Sequence, residues 1–465
     1  MLQRFRREPG FYRRVWLLAL PLILQNLITT SLGFVDTFMV GLLGNEPMAA
    51  VTAANSPIFL IQVIVFGLMS GLTVLVSQYW GRGDVDAINR CMGVAMYVAL
   101  AVSTVMAAVL FFQPEAVMRL VTPNAVLVEL GTPYLRIVGI SYIFNSLTSV
   151  YISMQRSTEN PALGMKVFAV SMLLNTFLNY CFIFGNFGAP ALGVTGAAVA
   201  TLTSRVVEFL ITLVYALRNR RIPLRFFQLL RPGREILGSF VRYSTPVVCN
   251  ETLWGLGTTV MTMIMGHMTI STEMLAAYAI MGNIDKFSTV ACFGLAGATA
   301  VIVGKRIGEG AGKEEVYDLG VCLLGLALAV GIVVAVALAV LLPTVFIPYL
   351  YPLFQLKGQA ETIAITMCVV YICMMPMKSF DISNITGLLR AGGDARMASV
   401  IDLAPLWCFA IPLTALMALV LEAPIVVVCL ALQAENLLKM PLGLIRLRSR
   451  KWINDVTRGR RSEGA

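Results

Sequence analysis

Residues 21–83 read PLILQNLITTSLGFVDTFMVGLLGNEPMAAVTAANSPIFLIQVIVFGLMSGLTVLVSQYWGRG, and the same pattern returns in the second half of the chain. Pro21 and Pro246 are 225 residues apart, as are Gly41 and Gly266. A two-residue insertion moves the offset to 227, where Ala50 pairs with Ala277, Gly67 with Gly294, Gly81 with Gly308 and Gly83 with Gly310. Each copy holds a proline-bearing apolar run, a short loop, a second apolar run and a glycine-rich polar exit. The exits are SQYWGRGD and GKRIGEG. A weaker echo relates MQRSTENP to LLRAGGDA, with Arg156 and Arg390 234 residues apart. An internal repeat of this kind decides the architecture. Two halves in the same orientation are a pattern of secondary transporters, in which one half moves against the other around a central cavity.

The solvent follows from composition. Of 465 residues, 58% are hydrophobic and 13% charged, and the mean hydropathy is +0.81. Soluble domains are about 45–50% apolar and about 25% charged. This excludes a soluble enzyme, a disordered chain and a fibrous protein. A membrane helix needs about 20 mostly apolar residues. Twelve runs qualify, near 15–41, 51–80, 91–113, 133–155, 167–187, 192–217, 243–267, 274–304, 319–346, 362–389, 397–421 and 423–445. The predicted fold is an all-α integral membrane protein of twelve transmembrane helices in two six-helix lobes related by pseudo-twofold symmetry. The N-lobe covers 15–217 and the C-lobe 243–445, joined by a linker at 218–242.

Charge sets the orientation. With the N-terminus inside, 28 of the 35 Lys and Arg fall on inside segments, and only Arg119 and Lys357 on outside loops. That is the positive-inside pattern. It places the N-terminal segment 1–14, the linker and the basic tail 446–465 in the cytoplasm; the plasma (inner) membrane is the expected location. The net charge of +10 is therefore a topology signal, with anionic lipid headgroups as a second partner and no nucleic acid. The first run is too long for a cleaved signal peptide.

Ionisable groups inside spans are expensive and are functional candidates by default, with helix pairing as the rival account. Arg205 and Glu208, Lys378 and Asp381, and Glu435 and Lys439 have the spacing of neighbours on one helix face. Asp285 and Lys286 are adjacent, so their partners lie elsewhere. Asp36, Glu251 and Asp402 lack a basic neighbour on their own helix. Asp402 sits near the end of its span, within reach of the interface. A lone buried carboxylate holds a proton or takes a cation partner, and either can couple an ion gradient to a conformational change. Glu251 aligns with Asn26 and Asn250 with Gln25, so both first-repeat spans place a polar pair at one depth. Asp36 aligns with Met261, so its charge exists in one half only. Asn145, Asn175 and Asn179 add amides in the first half, the last two on one helix face. These amides also suit plain interhelical hydrogen bonding. Pro21, Pro246, Pro376, Pro405 and Pro412 lie in spans, where prolines are tolerated.

Other chemistries lack their motifs. There is no GxxxxGK[ST] for an ATP motor, no HExxH and no TVGYG-like filter. The nine cysteines show no CxxC spacing and His267 is the only histidine, so they read as small apolar side chains. An enzyme is not expected, and no cofactor is needed beyond a coupling ion.

Several segments together resemble the multidrug and toxic compound extrusion (MATE) family, across roughly residues 10–445. They are FVDTFMVGLLG, SQYWGRGD, NTFLNYCFIFGNFGAPALGVTGAAVAT, TPVVCNETLWGLG, GLAGATAVIVGKRIGEG and ITGLLRAGGDA. The resemblance implies a monomeric, two-lobed efflux antiporter that exchanges protons or sodium ions for organic cations and amphipathic drugs by alternating access. It puts Asp36 on the first-helix acidic position of the coupling site and Asn175 on an asparagine that joins it. Asn179 stands where some members carry aspartate, and Thr201 loosely matches a nearby hydroxyl position. A sodium site would draw on Asp36 and Asn175. Glu251 resembles the acidic position of the seventh helix, and Asp381 lies two residues from an acidic position of the tenth in one subgroup. The alternative is a flippase of lipid-linked or other amphipathic metabolites in the same superfamily. Those carry a strongly cationic cavity, whereas few basic residues lie in these spans.

Overall fold

Backbone in an apolar solvent has no water to bond, so each segment must satisfy its own N–H and C=O groups. Helices meet that demand along most of the described residues. A computed structural model describes residues 9–231, 233–354 and 356–457, and no strand occurs among the described residues. Positions 1–8 and 458–465, parts of the predicted N-terminal segment and basic tail, lie outside the described residues.

The first half runs through α1 (Pro9–Gly41), α2 (Asn45–Arg82), α3 (Val85–Phe112), the short α4 (Pro114–Val121), α5 (Ala125–Ser157), α6 (Ala162–Phe184) and α7 (Val194–Arg218). The joining segment holds α8 (Phe226–Leu230). The second half begins with α9 (Arg234–Gly266), α10 (Ser271–Ser288), α11 (Val290–Gly308) and α12 (Lys313–Leu341). It continues through α13 (Tyr351–Leu353), α14 (Gln359–Ile382), α15 (Ala395–Pro405), α16 (Ile411–Ala415), α17 (Ile425–Leu432) and α18 (Ala434–Ser449). Eleven stretches are long and apolar enough to cross a membrane. Two further helices, α9 with 33 residues and α10 with 18, are long enough but too polar to count among them. Wider π turns interrupt the second half, at Leu342–Leu350, Ser383–Leu389, Leu406–Ala410 and Leu416–Val420. The turn Leu406–Ala410 lies between Pro405 and Pro412. Proline removes a donor and crowds the carbonyl four residues back, and a wider turn relieves the clash.

Two compact units emerge. One is Leu24–Val248; the other comprises the chain up to Ile23 and from Cys249 onward. The division therefore falls inside α1 and inside α9, not in the linker. Ile23 and Val248 are 225 residues apart, so both crossings occupy the same position of the repeat. Glycines explain the location. In the first unit a Cβ on Gly67 of α2 would stand 2.3 Å from Val248 Cγ2 and 2.9 Å from its Cα. One on Gly71 would meet Ser244 Oγ at 1.9 Å. In the other unit a Cβ on Gly294 of α11 would stand 2.8 Å from the Ile23 backbone nitrogen. Gly67 and Gly294 are repeat partners. Small residues let helix backbones approach closely, which is the main source of packing where lipid is as apolar as the core. The exits of α2 and α11 share a device as well, since Gly83 and Gly310 take φ of +74° and +82°. Only glycine enters that left-handed region without strain.

The segment after α18 folds back onto its unit. Trp452 is fully buried, donates from Nε1 to the Leu447 carbonyl at 3.1 Å, and fills the space left by Gly392. The Asn454 N–H donates to the Gly392 carbonyl at 2.9 Å. Asp394, in the same turn, accepts from Arg446 at 2.6 Å; its burial nonetheless pushes the carboxyl above the ordinary carboxylate range.

Two outcomes are expected. Gly67→Ala and Gly294→Ala each lower the thermal unfolding midpoint in detergent, by overpacking worth about 1–3 kcal/mol, whereas Gly33→Ala, which meets nothing within 4 Å, does not. An unchanged midpoint for either repeat glycine would remove the packing account. Trp452→Ala costs about 3–5 kcal/mol in the same measurement, and Trp452→Phe recovers part of the loss.

Candidate functional site

The first unit assembles a polar chain from three helices. Asn179 on α6 donates from Nδ2 to Asp36 Oδ1 on α1 at 2.5 Å, and to Asn175 Oδ1 one turn away at 3.1 Å. Asn175 Nδ2 in turn donates to Thr201 Oγ1 on α7 at 3.5 Å. Asn175 and Asn179 are buried, while Asp36 is half-buried. The Asn179 carbonyl oxygen is buried beside Asp36 with no partner. Such an orphan acceptor costs about 1–3 kcal/mol and is the group a cation or a donated proton would satisfy. One turn along α7 from Thr201, Arg205 pairs with the buried Glu208 at 2.6 Å, and its charge reaches Asp36 without forming an ion pair. Across the unit, Gln62 donates to the Tyr142 hydroxyl at 2.8 Å.

The sequence-predicted Asp36, Asn175, Asn179 and Thr201 thus come together, and Arg205 and Glu208 pair as their spacing requires. Gln25, Asn26 and Asn145 stay outside this chain. The Gln25 carbonyl oxygen is buried without a partner against Gly164 on α6. Asn26 and Asn145 are half-buried.

The other unit holds three charge clusters. Arg390, almost fully buried, pairs with Glu251 on α9 at 2.9 Å, leaving its Nε and Nη1 without partners. Lys439 on α18 meets Asp402 at 2.8 Å and Glu435 at 2.9 Å, and Asn250 donates to Asp402 at 2.8 Å. Asp285 on α10 takes Lys378, and the Tyr371 hydroxyl at 2.7 Å. Asp381 has neither oxygen hydrogen-bonded although it is buried, and nearby Asn384 is likewise unpartnered.

Three expectations are corrected here. Lys378 does not pair with Asp381. Tyr371 and Lys378, seven residues apart, share a face toward Asp285, and Asp381 stands about 60° further round the helix. Glu251 is not a lone carboxylate, because Arg390 arrives from another helix. Asp402 does not reach out to the interface, since it is held between Lys439 and Asn250. Sequence reasoning overlooked Arg390 and Lys439 as partners between helices. Their signals were present: the weaker echo that singled out Arg390, and a lysine among three acids that face one interior.

With both sites described, similarity decides the family. The family model MatE matches residues 21–181 and 246–416, beginning in each half at the repeat proline and covering well over half of the chain. The chain belongs to the MatE family. Members of this family are transporters, not enzymes, and the protein crosses the membrane several times. The fold is shared with solved structures over most of the chain. A solved multidrug resistance MATE family transporter of the MOP superfamily, in an outward-facing conformation, aligns with a TM-score of 0.85 at 18% identity, covering 97% of this chain and 98% of that one. The uncharacterized transporter YisQ of Bacillus subtilis is 24% identical over 93% of both chains. The probable multidrug resistance protein NorM of Thermotoga maritima is 24% identical, covering 96% of this chain and 94% of its own.

The Glu251–Arg390 pair gives a direct check. Breaking a buried pair from one side leaves an uncompensated charge and costs about 3–5 kcal/mol. Glu251→Leu should therefore sharply lower the melting midpoint, and adding Arg390→Met should restore most of it. If the double variant melts no higher than the single, the pair is not what holds Glu251.

Proposed function

We propose that this MatE protein exports organic cations and amphipathic drugs in exchange for a proton or sodium ion bound at Asp36. One observation carries the reading. Asp36 touches an amide and no cation, beside the orphaned Asn179 carbonyl, while Glu208, Glu251, Asp285, Asp402 and Glu435 all have cationic partners. An ion arriving at Asp36 would neutralise the carboxylate and satisfy the orphan at once. A proton on Asp36 would donate to an amide oxygen; a sodium ion would take Asp36, Asn175 and Asn179 oxygens. Either favours whichever conformation binds it better, and the shift is limited to that difference in affinity. Asp381, buried and unpaired in the other unit, is a second candidate of the same kind.

The substrate class is taken from the Thermotoga maritima relative, whose name speaks of multidrug resistance, and from the scarcity of basic residues within the spans. The same reading takes both termini as cytoplasmic, which the bias of basic residues to those segments supports, and the protein as a monomer in the inner membrane. A flippase of amphipathic metabolites is not favoured.

Dye transport in proteoliposomes tests this. Uptake of a fluorescent organic cation should follow an imposed pH gradient, an imposed sodium gradient, or both. Asp36→Asn should reduce gradient-driven transport at least about tenfold, roughly 1.4 kcal/mol, without changing the melting midpoint. Full transport by Asp36→Asn would overturn the assignment. Failure of both gradients to move any cationic dye would overturn the antiport reading and return the flippase to consideration.

A further inference from the structure

We infer that Arg218–Arg234, the segment joining the halves, is an interfacial anchor that binds the anionic headgroups of the adjacent membrane leaflet. Residues 219–230 of the segment are fixed to their own unit by successive contacts. Asn219 donates to the Tyr151 hydroxyl at 3.3 Å, and the Arg221 guanidinium lies 4.8 Å from the centre of the Trp80 ring. Asn89 on α3 binds it twice, donating to the Pro223 carbonyl at 3.2 Å and accepting from the Arg225 N–H at 3.1 Å. Arg225 pairs with Asp86 at 2.6 Å, and Tyr97 donates to the Leu230 carbonyl at 3.3 Å. Gly93 lets the Leu229 carbonyl sit where a side chain would be, 2.2 Å from an ideal Cβ. Ile222 is buried.

So tightly held a segment would be expected to bury its large apolar side chains. Instead Phe226, Phe227 and Leu230 are 59%, 67% and 60% exposed. Tyr97, itself 45% exposed, reaches the Leu230 carbonyl from α3. Exposed arginines surround them: Arg218, Arg220, Arg221, Arg225, Arg231 and Arg234. No acid occurs between Glu208 and Glu235. Arg218, Arg220, Arg231 and Arg234 form no ion pair among the described residues, and Arg231 lies 5.4 Å from the centre of the Phe227 ring.

Aromatic and aliphatic side chains backed by uncompensated cations, held at the ends of membrane helices, match the acyl boundary and the anionic headgroup layer together. A soluble phosphate or a nucleic acid would satisfy the arginines and leave the phenylalanines in water. The bilayer satisfies both.

Phe227→Trp in the full chain reports on the contact. The variant is reconstituted in phosphatidylcholine bilayers containing equal fractions of chain-brominated phosphatidylglycerol or chain-brominated phosphatidylcholine, and the unsubstituted protein supplies the background of its five tryptophans. The added fluorescence should be quenched by both and about twofold more by the anionic lipid. The excess should fall at high salt and in an Arg220→Gln, Arg231→Gln, Arg234→Gln background. Phe226→Trp gives a second reporter should the first misfold. Absence of quenching by either lipid would overturn the anchor. Equal quenching by both would overturn the headgroup binding.

Discussion

A carboxylate or guanidinium placed among apolar helices must meet an opposite charge, a set of donors or a proton, because lipid and packed side chains offer nothing else. Most interior acids in this chain answer that demand with a cationic partner, and for Glu251, Asp285 and Asp402 that partner comes from another helix. Glu251 holds Arg390, Lys439 holds Asp402 and Glu435, and Lys378 holds Asp285. These pairs fix which faces of α9, α10, α14, α15 and α18 turn inward. They also isolate the exceptions. Asp36 and Asp381 stand half-buried and buried with no cationic partner among the described residues, which marks them as candidates for function.

The repeat conserves backbone contacts and discards charges. Gly67 and Gly294 make equivalent close approaches, to Val248 and Ile23, and the two units change chain at those same repeat positions. Close packing at a glycine tolerates no side chain, so both copies retain it. Charges have drifted apart: Asp36 corresponds to Met261, and Glu251 to Asn26. The arginines of the weaker echo diverge likewise. Arg390 pairs with Glu251, whereas Arg156 donates to the hydroxyls of Thr73 and Ser153. Two halves with one architecture thus offer different chemistry, one an amide-lined acid and the other a set of ion pairs with an acid beside them.

Much of this was legible in advance because its physical cause is local. Apolar run length sets the helices, and glycine and proline spacing exposes the repeat. Residues one turn apart on a helix find each other, as Asn175 and Asn179, Arg205 and Glu208, and Glu435 and Lys439 do. Local rules failed where partners compete. Lys378 has an acid at the right spacing in Asp381, yet Tyr371 and Asp285 offer a better-solvated position on another face. The start of α9 was blurred by Arg234, Glu235 and Arg242, which lie before the apolar run, and its Glu251 finds its partner only in Arg390 of another helix.

The sequence by itself determined a helical membrane protein with a duplicated architecture, its orienting charges and the residues worth watching, since hydropathy, periodicity and the positive-inside bias depend on composition along the chain. Tertiary structure decided which of those residues act together. It brought Asn179 to Asp36 across 143 positions and Arg390 to Glu251 across 139. It also moved the boundary between the compact units into α1 and α9, and left the phenylalanines of α8 facing outward. Such outcomes depend on which helices become neighbours and how closely their backbones approach, and no local pattern in a single chain encodes a distance between helices.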